Sequence, residues 1–228
     1  MLISEIFDSI DGEGIRAGQL CTFIRVAGCN LRCSYCDSMY AVEPEKYSDT
    51  KPKEMTVSEI LSYVNRKYKR VTLTGGEPLL FPESIKLVNS LCQLGYEVNI
   101  ETNGSCDITA FRDLIRCNEN LFFTIDFKLP SSREMYSMRL SNYEELRRSD
   151  VLKFVIGSEE DAEVAASYAH NLIEKYGKDA PYIYCGIVFG KYELKDVIEL
   201  FMKDPVLKDV RFQIQMHKII WDPDVRGV

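Results

Sequence analysis

The stretch VTLTGGEPLLFPESIKLVNSLCQLGYEVNI, residues 71–100, contains one complete strand–helix–strand unit and decides the fold class. The apolar runs VTLT from Val71 and EVNI from Glu97 have the length and composition of buried strands. Between them a helical pattern starts at Pro82, which suits a first helical turn, and stops at Gly95, which tolerates the left-handed conformation of a helix end. Such a unit predicts two parallel strands joined by a right-handed crossover.

The same alternation of strands and helices recurs along the chain. Further strand-like runs are TFIRV from Thr22, LFFTI from Leu121, VLKFVI from Val151, YIYCGIVF from Tyr182 and RFQIQ from Arg211. Helices are predicted over 56–68, 109–116, 142–148, 158–176 and 194–203, and exposed loops over 43–53 and 129–142. The strands are too few for an eightfold barrel. We therefore expect an α/β fold, a partial, open (β/α) barrel with mostly parallel strands.

Two of these helices carry start signals. Thr56 and Glu59 have the spacing of a capping box, and Ser158 and Asp161 form a second cap pair. The apolar stripe predicted for the first of these helices consists of Val57, Ile60, Leu61, Val64 and Tyr68.

Composition limits the class of protein. The chain has 228 residues, of which 46% are apolar and 28% charged, as expected for one well-buried globular domain over residues 1–228. No apolar stretch is long enough to span a bilayer, which favours a cytoplasmic protein with reduced thiols and no membrane partner. The net charge of −7, with both signs interspersed, argues against a nucleic-acid partner.

Three cysteines define a cysteine loop, residues 29–36, in the sequence CNLRCSYC. Cys29, Cys33 and Cys36 offer three thiolates to one inorganic group, and an iron–sulfur cube held by three thiolates keeps one iron open to a small molecule. The alternatives are a zinc site with a ligand from elsewhere, or chance proximity. Cys21 is a candidate fourth thiolate. The remaining cysteines, Cys92, Cys106, Cys117 and Cys185, lie among apolar residues and are predicted to be small core residues.

Polar residues directly follow three of the predicted strands, where parallel α/β folds carry their reactive groups. They are Gly75, Gly76, Glu77 and Pro78, then Glu101, Thr102, Asn103 and Gly104, then Asp126, Phe127 and Lys128. Adjacent glycines allow close approach of a ligand to the backbone, and Glu77 can accept a hydrogen bond from a ligand's ammonium group. The plainer alternative is an ordinary turn, with Glu101 and Asp126 as loop or cap carboxylates.

Charged residues also interrupt apolar segments. Arg25 and Lys153 lie inside predicted strands, where each needs an ion-pair partner or a route to solvent. A third possibility for Arg25 is that its guanidinium faces a cavity and binds a carboxylate with two hydrogen bonds. Gln213, Gln215 and His217 alternate with other residues, so a strand there would point all three to one side.

With CNLRCSYC, TGGEP, ETNG and DFKLPSS in this order, the chain resembles the radical S-adenosylmethionine (SAM) superfamily. More narrowly, FDSIDGEG, FIRVAGCNLRCSYCDS and QIQMHKII resemble the 7-carboxy-7-deazaguanine synthase family of queuosine-type deazapurine biosynthesis, and this resemblance covers nearly the whole chain.

The resemblance implies a [4Fe–4S] cluster on Cys29, Cys33 and Cys36, with SAM chelated to the fourth iron. It implies that SAM lies against Tyr35, Cys36, Asp37, Gly76, Glu77, Asp126, Phe127 and Lys128. It implies that a pterin substrate lies against Ile10, Asp11, Gly12, Glu13, Arg25, Thr74 and His217. It also implies Mg²⁺ at Ser38, where the family commonly has threonine, although a helix cap is the alternative role for this serine. Asp11 stands where glutamine is more usual.

The implied reaction begins with one-electron cleavage of SAM to a 5′-deoxyadenosyl radical. That radical takes a hydrogen atom from 6-carboxy-5,6,7,8-tetrahydropterin, and the ring contracts with loss of ammonia to 7-carboxy-7-deazaguanine. The resemblance further implies a flavodoxin or ferredoxin as electron donor and a homodimer. Two other functions stay open: a glycyl-radical activase or other small radical SAM enzyme, and a non-enzymatic iron–sulfur or zinc protein such as an electron carrier.

Overall fold

The structure is a computed structural model that describes residues 1–222 and 225–228. Its strands are β1 (Leu2–Ile10), β2 (Leu20–Val26), β3 (Lys53–Glu54), β4 (Arg70–Gly75), β5 (Glu97–Thr102), β6 (Leu121–Phe127), β7 (Val151–Ile156), β8 (Tyr182–Ile187) and β9 (Arg211–Phe212). They form one sheet in the order β3-β1-β2-β4-β5-β6-β7-β8-β9. β1 is antiparallel to both of its neighbours, and every pairing from β2 to β9 is parallel. The sheet is open, because β3 and β9 end it on opposite sides, and the predicted fold class is confirmed.

The helices lie between the strands. They are α1 (Met39–Val42), α2 (Pro44–Tyr47), α3 (Val57–Tyr63), α4 (Glu83–Gln93), α5 (Ile108–Asp113), α6 (Ser141–Glu144), α7 (Glu159–Tyr176), α8 (Leu194–Phe201) and α9 (His217–Ile220). Short 3₁₀ helices cover Gly14–Arg16, Pro78–Leu80, Asn118–Asn120, Pro130–Ser132, Met135–Ser137, Gly177–Asp179 and Pro205–Asp209. The strand–helix–strand unit of residues 71–100 is β4, α4 and β5, with Val71 paired in parallel to Val98.

Both predicted caps are present. Thr56 and Glu59 form a reciprocal capping box, and the Ser158 hydroxyl accepts a hydrogen bond from the Asp161 N–H. α3 is shorter than predicted, since Val64 is already extended and Tyr68 lies outside the helix.

Alternation along the strands divides the sheet into two chemically different faces. One face packs on the longer helices and carries buried apolar side chains, among them Leu73, Ile100, Ile125 and Phe154. The other, inner face is polar along β4, β5 and β6, where it carries Thr72, Thr74, Asn99, Glu101, Thr124 and Asp126. The helix layer therefore stabilises the sheet, while the inner face is available for chemistry. No helix within the described residues combines the length and apolar character needed to cross a bilayer.

Three further parts of the chain differ from the sequence prediction, since the predicted loop 43–53 also contains α2. β1 is an additional strand that interrupts its apolar residues with Glu5 and Asp8, which weakens the pattern expected of a buried strand. The last predicted strand ends at Phe212 after two residues, and the chain then turns into α9. The prediction that Gln213, Gln215 and His217 share one side of a strand is therefore wrong, because hydrogen bonds such as Lys218 N–H to Gln215 O replace the sheet pairing.

Candidate active site

The candidate site lies where the polar inner face meets the carboxyl ends of the parallel strands. Strand register places Glu5 of β1 beside Arg25 of β2, and Arg25 beside Thr74 of β4. It likewise places Asp126 of β6 beside Lys153 of β7. Paired residues of neighbouring strands point to the same face, so these side chains form two polar groups on the inner face, one on β1, β2 and β4 and one on β6 and β7.

The cysteine loop connects β2 to α1, and its three cysteines are half-buried. Arg32 fixes the loop, since its guanidinium donates to the Cys29 carbonyl at 2.9 Å and its backbone N–H donates to Glu134 at 2.6 Å. The Ser34 N–H donates to the Ser132 carbonyl at 3.0 Å. The segment that follows β6 thus supports the loop from the opposite side.

The thiols of this loop fit an iron–sulfur cluster. Cys29 Sγ accepts hydrogen bonds from the Leu31 N–H at 3.4 Å and from the Asn103 side-chain amide at 3.5 Å, as suits a sulfur that carries negative charge. Burial raises the pKa of the Cys33 thiol to about 11 and also raises the pKa of Cys36. These two thiols are protonated at neutral pH without metal, so iron binding must displace their protons.

The other cysteines divide into two groups. Cys21 is buried on β2, 4.0 Å from the Thr72 hydroxyl, and burial raises its pKa to about 12. It precedes Val26 by five residues, or roughly 17 Å of strand, so the structure places this candidate fourth ligand away from the cysteine loop. Cys92 and Cys185 are core residues as predicted, and Cys117 packs on the core. Cys106 departs from that prediction: it is half-buried beside Ser105, and burial, with a smaller effect of Glu77, raises its pKa.

Gly75 and Gly76 allow β4 to pack against the base of the cysteine loop. A Cβ atom on Gly76 would lie 1.8 Å from the Gly28 carbonyl oxygen, and one on Gly75 would lie 2.3 Å from the Val26 oxygen. Gly75 also has φ of +129°, a conformation that side chains disfavour. The close approach that requires these glycines is therefore between two segments of the chain itself.

Glu77 is fully buried at 0% exposure. Its carboxylate accepts hydrogen bonds from the Leu79 N–H at 3.0 Å, the Thr102 hydroxyl at 2.8 Å and the Asn103 N–H at 2.7 Å. Glu77 was predicted to accept from a ligand's ammonium group; in the structure it joins the turn after β4 to the turn after β5.

A network of buried charges spans β6, β7 and the turn after β1. Asp126 accepts a hydrogen bond from Lys128 at 2.8 Å, and Lys153 Nζ lies 3.2 Å from its other oxygen and 2.7 Å from Glu13. Burial alone would raise the pKa of Asp126, but the two lysines outweigh burial and lower it to about 2. Asp126 is therefore a carboxylate at neutral pH.

Phe127, between Asp126 and Lys128, points to the opposite face. It packs 4.3 Å from the Tyr168 ring and 5.4 Å from the Phe154 ring, so its side chain belongs to the core.

Glu101 is a further member of the site. The sequence alone allows it to be either a reactive group at a strand end or an ordinary loop or cap carboxylate. It accepts a hydrogen bond from the Thr74 hydroxyl at 2.6 Å. Burial raises its pKa to about 7, an effect that Lys153 opposes and Asp11 and Glu13 reinforce. A carboxyl with this pKa can both give and accept a proton at neutral pH.

Arg25 is anchored through one nitrogen. Its Nε donates to Glu5 at 2.7 Å, and the Tyr40 hydroxyl donates to the same carboxylate oxygen at 2.8 Å. Within the described residues, its two terminal nitrogens have no protein hydrogen-bond acceptor at bonding distance. The expected ion pair and the expected two-pronged donor are thus compatible, because they use different nitrogens of one guanidinium.

The turn after β1 and the C-terminal segment meet at this end of the site. A Cβ atom on Gly12 would lie 3.3 Å from His217 Nδ1, and Gln213 accepts a hydrogen bond from the Gly14 N–H at 2.8 Å. His217 thus lies beside the predicted substrate turn, although it reaches that place from a helix. Burial lowers the pKa of His217, which favours the neutral imidazole. Ile10 is half-buried at the end of β1.

Asp11 lies deeper and is nearly fully buried. Its carboxylate accepts a hydrogen bond from Thr72 at 3.1 Å, and burial raises its pKa. It therefore faces the β4 interior and not the open edge.

The segment after Cys36 completes the site. The Tyr35 hydroxyl donates to the Val155 carbonyl at 3.4 Å, and Lys218 of α9 donates to Asp37 at 3.3 Å. Ser38 precedes α1 but makes no side-chain cap; its hydroxyl donates to Asp37 at 3.0 Å. The cap role is therefore wrong for this serine.

Comparisons with known proteins give a consistent result. The model of the radical SAM superfamily matches residues 23–155. The 7-carboxy-7-deazaguanine synthase of Clostridium acetobutylicum is 44% identical to this protein, in an alignment that covers 99% of this chain and 98% of the relative. The 7-carboxy-7-deazaguanine synthase of Chlorobaculum tepidum is 38% identical, and the alignment covers 99% of this chain and 96% of the relative. The crystal structure of QueE from Escherichia coli superposes with a TM-score of 0.69 over 94% of this chain and 93% of that one; at 23% identity this likeness shows the fold alone.

Proposed function

Since the chain belongs to the radical SAM superfamily and, within it, to the 7-carboxy-7-deazaguanine synthase family, we propose that it converts 6-carboxy-5,6,7,8-tetrahydropterin to 7-carboxy-7-deazaguanine and ammonia. This step belongs to queuosine-type deazapurine biosynthesis. The observation that carries the proposal is Arg25, whose terminal nitrogens have no acceptor among the described residues, on the edge that holds the cysteine loop.

The proposed cofactor site has two parts. Cys29, Cys33 and Cys36 would hold a [4Fe–4S] cluster, and SAM would contact Tyr35, Asp37, Gly76, Glu77, Asp126 and Lys128, with Glu77 and Phe127 contributing backbone only. When bound, cluster and SAM supply the one-electron chemistry that yields a carbon-centred radical. Lys128, held by Asp126 at 2.8 Å, offers a fixed ammonium to an anionic group of the cofactor.

The proposed substrate site is built to position its ligand. Arg25 would bind the substrate carboxylate with its terminal nitrogens, while Glu5 and Tyr40 orient the guanidinium. Ile10, Gly12 and Glu13 would present backbone and carboxylate groups to the pterin ring, with Thr74 and His217 on its flanks. Asp11 would hold this turn against β4 and not contact the ring, because its carboxylate accepts a hydrogen bond from the Thr72 hydroxyl. Glu101, with a pKa of about 7, is the group best suited to move a proton during loss of ammonia.

Mg²⁺ would bind at Ser38 and the neighbouring Asp37. Both residues carry side-chain oxygen atoms, the ligands that this ion prefers. Serine lacks the methyl group that restricts a threonine rotamer, so weaker Mg²⁺ binding is expected. We also propose a cytoplasmic homodimer, one domain per chain, that takes electrons from a flavodoxin or ferredoxin and acts on no nucleic acid.

The test is anaerobic turnover of the reconstituted protein with SAM, a reductant and the carboxypterin. We expect equal amounts of 7-carboxy-7-deazaguanine and ammonia by mass spectrometry and chemical assay, and neither from Cys33→Ala. Arg25→Met should reduce product formation at least tenfold at low substrate concentration, while Arg66→Met, at an exposed arginine, leaves the rate unchanged. Cleavage of SAM without any purine product would contradict the proposal and favour another radical SAM reaction, such as glycyl-radical activation.

A further inference from the structure

Asn103, in the turn after β5, aims a side-chain donor at a cysteine of the cysteine loop. Its Nδ2 lies 3.5 Å from Cys29 Sγ and 3.1 Å from Asn30 Oδ1. The residue is buried, with 7% of its surface exposed, so this contact is shielded from competing water. Sulfur hydrogen bonds are longer than those to oxygen because the sulfur atom is larger.

The orientation of the Asn103 amide is determined by its neighbours. The Ser105 N–H donates to Asn103 Oδ1 at 2.9 Å, so the oxygen end of the amide is occupied and the NH₂ end must face Cys29. The Asn103 backbone N–H donates to Glu77 at 2.7 Å, and the Thr102 hydroxyl donates to the same carboxylate at 2.8 Å.

The adjoining Gly104 allows the chain to form this turn. Its φ is +79°, and a Cβ atom there would lie 2.4 Å from the Tyr143 hydroxyl oxygen. The turn therefore requires glycine at position 104, and the hydrogen bonds to the buried Glu77 carboxylate hold Asn103 in its place.

We propose that Asn103 is a positioning residue that donates an N–H···S hydrogen bond to the Cys29 thiolate and raises the reduction potential of the cluster. A donor to a ligand sulfur withdraws negative charge from the cluster, and the reduced state, which is more negative, gains more from this than the oxidised state. The role is independent of which substrate the enzyme takes. It also gives Glu77 a function, because this carboxylate holds the turn that carries the donor.

The experiment measures the midpoint potential of the cluster in the full chain, reconstituted anaerobically, by redox titration followed by electron paramagnetic resonance. Asn103→Ala removes the donor, and Asn103→Asp keeps the shape but replaces the donor with a negative oxygen. We expect both variants to be harder to reduce, with the one-electron equilibrium shifted about tenfold, or about 59 mV to lower potential, in Asn103→Asp. Asn171→Ala and Asn171→Asp are the matched controls, since they make the same two exchanges at an exposed asparagine of α7; their potentials should be unchanged.

Iron and sulfide content and the melting temperature before reconstitution are measured for every variant. An unchanged or higher potential in loaded Asn103 variants overturns the proposal. If both variants melt like the unmodified chain yet take up no cluster where the Asn171 variants take up a full one, Asn103 is needed to assemble the cluster, and the proposed effect on its potential is overturned. If both lose their cooperative melting, Asn103 is a structural residue and the proposal is overturned.

Discussion

Lys153 on β7 and Glu13 in the turn after β1 form an ion pair at 2.7 Å, although 140 positions separate them in the chain. The lysine and glutamate side chains are only 11% and 15% exposed, and the pair joins the antiparallel end of the sheet to its parallel half. Lys153→Met leaves Glu13 without its partner and should lower the free energy of unfolding by about 3 kcal/mol. The control is Lys175→Met, because the Lys175–Glu144 pair at 3.0 Å is more than half exposed and should contribute less than about 1 kcal/mol. Urea unfolding of both variants decides the matter, and equal losses would count against a buried pair.

The raised pKa of Glu101 predicts a pH dependence of stability. Its pKa is about 7 in the folded chain against an ordinary value of 4.5, so the folded state holds this proton more tightly. The stabilisation is therefore complete below about pH 4.5 and is lost as the pH rises towards 7. Between pH 5 and pH 8, the unfolding free energy of the unmodified chain should fall by on the order of 1–2 kcal/mol relative to Glu101→Gln. A difference between the two proteins that stays constant over this range would show that Glu101 titrates normally.

Gly76→Ala should prevent the cysteine loop from taking its position. The added methyl group would meet the Gly28 carbonyl oxygen at 1.8 Å, and because the atoms that it meets are backbone, they cannot move aside without displacing the loop. We expect less than a tenth of the normal iron content after reconstitution. Gly186→Ala is the control, since its methyl group would find ordinary contacts at 3.5 Å. Normal iron content in Gly76→Ala would disprove the steric argument.

Phe127→Leu tests the assignment of this side chain to the core. Loss of ring contacts with Tyr168 and Phe154 should lower the unfolding free energy by about 1–2 kcal/mol, with no change in SAM affinity. Phe189→Leu, at a ring 48% exposed, should change stability by less than about 0.5 kcal/mol. Calorimetric SAM titration and urea unfolding are the measurements. A clear loss of SAM affinity at normal stability would return Phe127 to the cofactor site.

Cys21→Ala should keep a full cluster, because Cys21 is buried beside Thr72 and away from the cysteine loop. Cys33→Ala should lose it. Iron and sulfide analysis of both variants, prepared without oxygen, distinguishes a cluster with one open iron from a four-thiolate site. Equal loss from the two variants would contradict the open iron.

Several helices and strands of this fold can be predicted from the sequence, because each depends on a local pattern of residues. The strand–helix–strand unit of 71–100, the Thr56 capping box and the Ser158 cap each depend on residues close together in the chain. The polar inner face was also present as a signal: the alternation Thr72, Thr74, then Asn99, Glu101, then Thr124, Asp126 has the period of a strand with one polar side. The apolar residues between these polar positions give the same strands the composition of fully buried ones.

The contacts that define the site are of another kind, since each joins residues far apart in the chain. The residues next to Arg25 in the sequence give no sign that its Nε donates to Glu5, which also accepts from Tyr40. The residues next to Glu77 likewise give no sign that its carboxylate accepts a hydrogen bond from the Asn103 N–H. The termination of β9 after Phe212 likewise depends on the strand beside it. Such pairings follow from strand order, which periodicity does not supply.

The two outermost strands of the sheet, β3 and β9, contain only two residues each. Both residues of β3 are charged and exposed, and β9 begins with an exposed arginine. A long unpaired edge would recruit strands from other molecules and lead to aggregation. By ending in short, charged segments, an incompletely closed barrel can remain open without acting as a template for fibril growth.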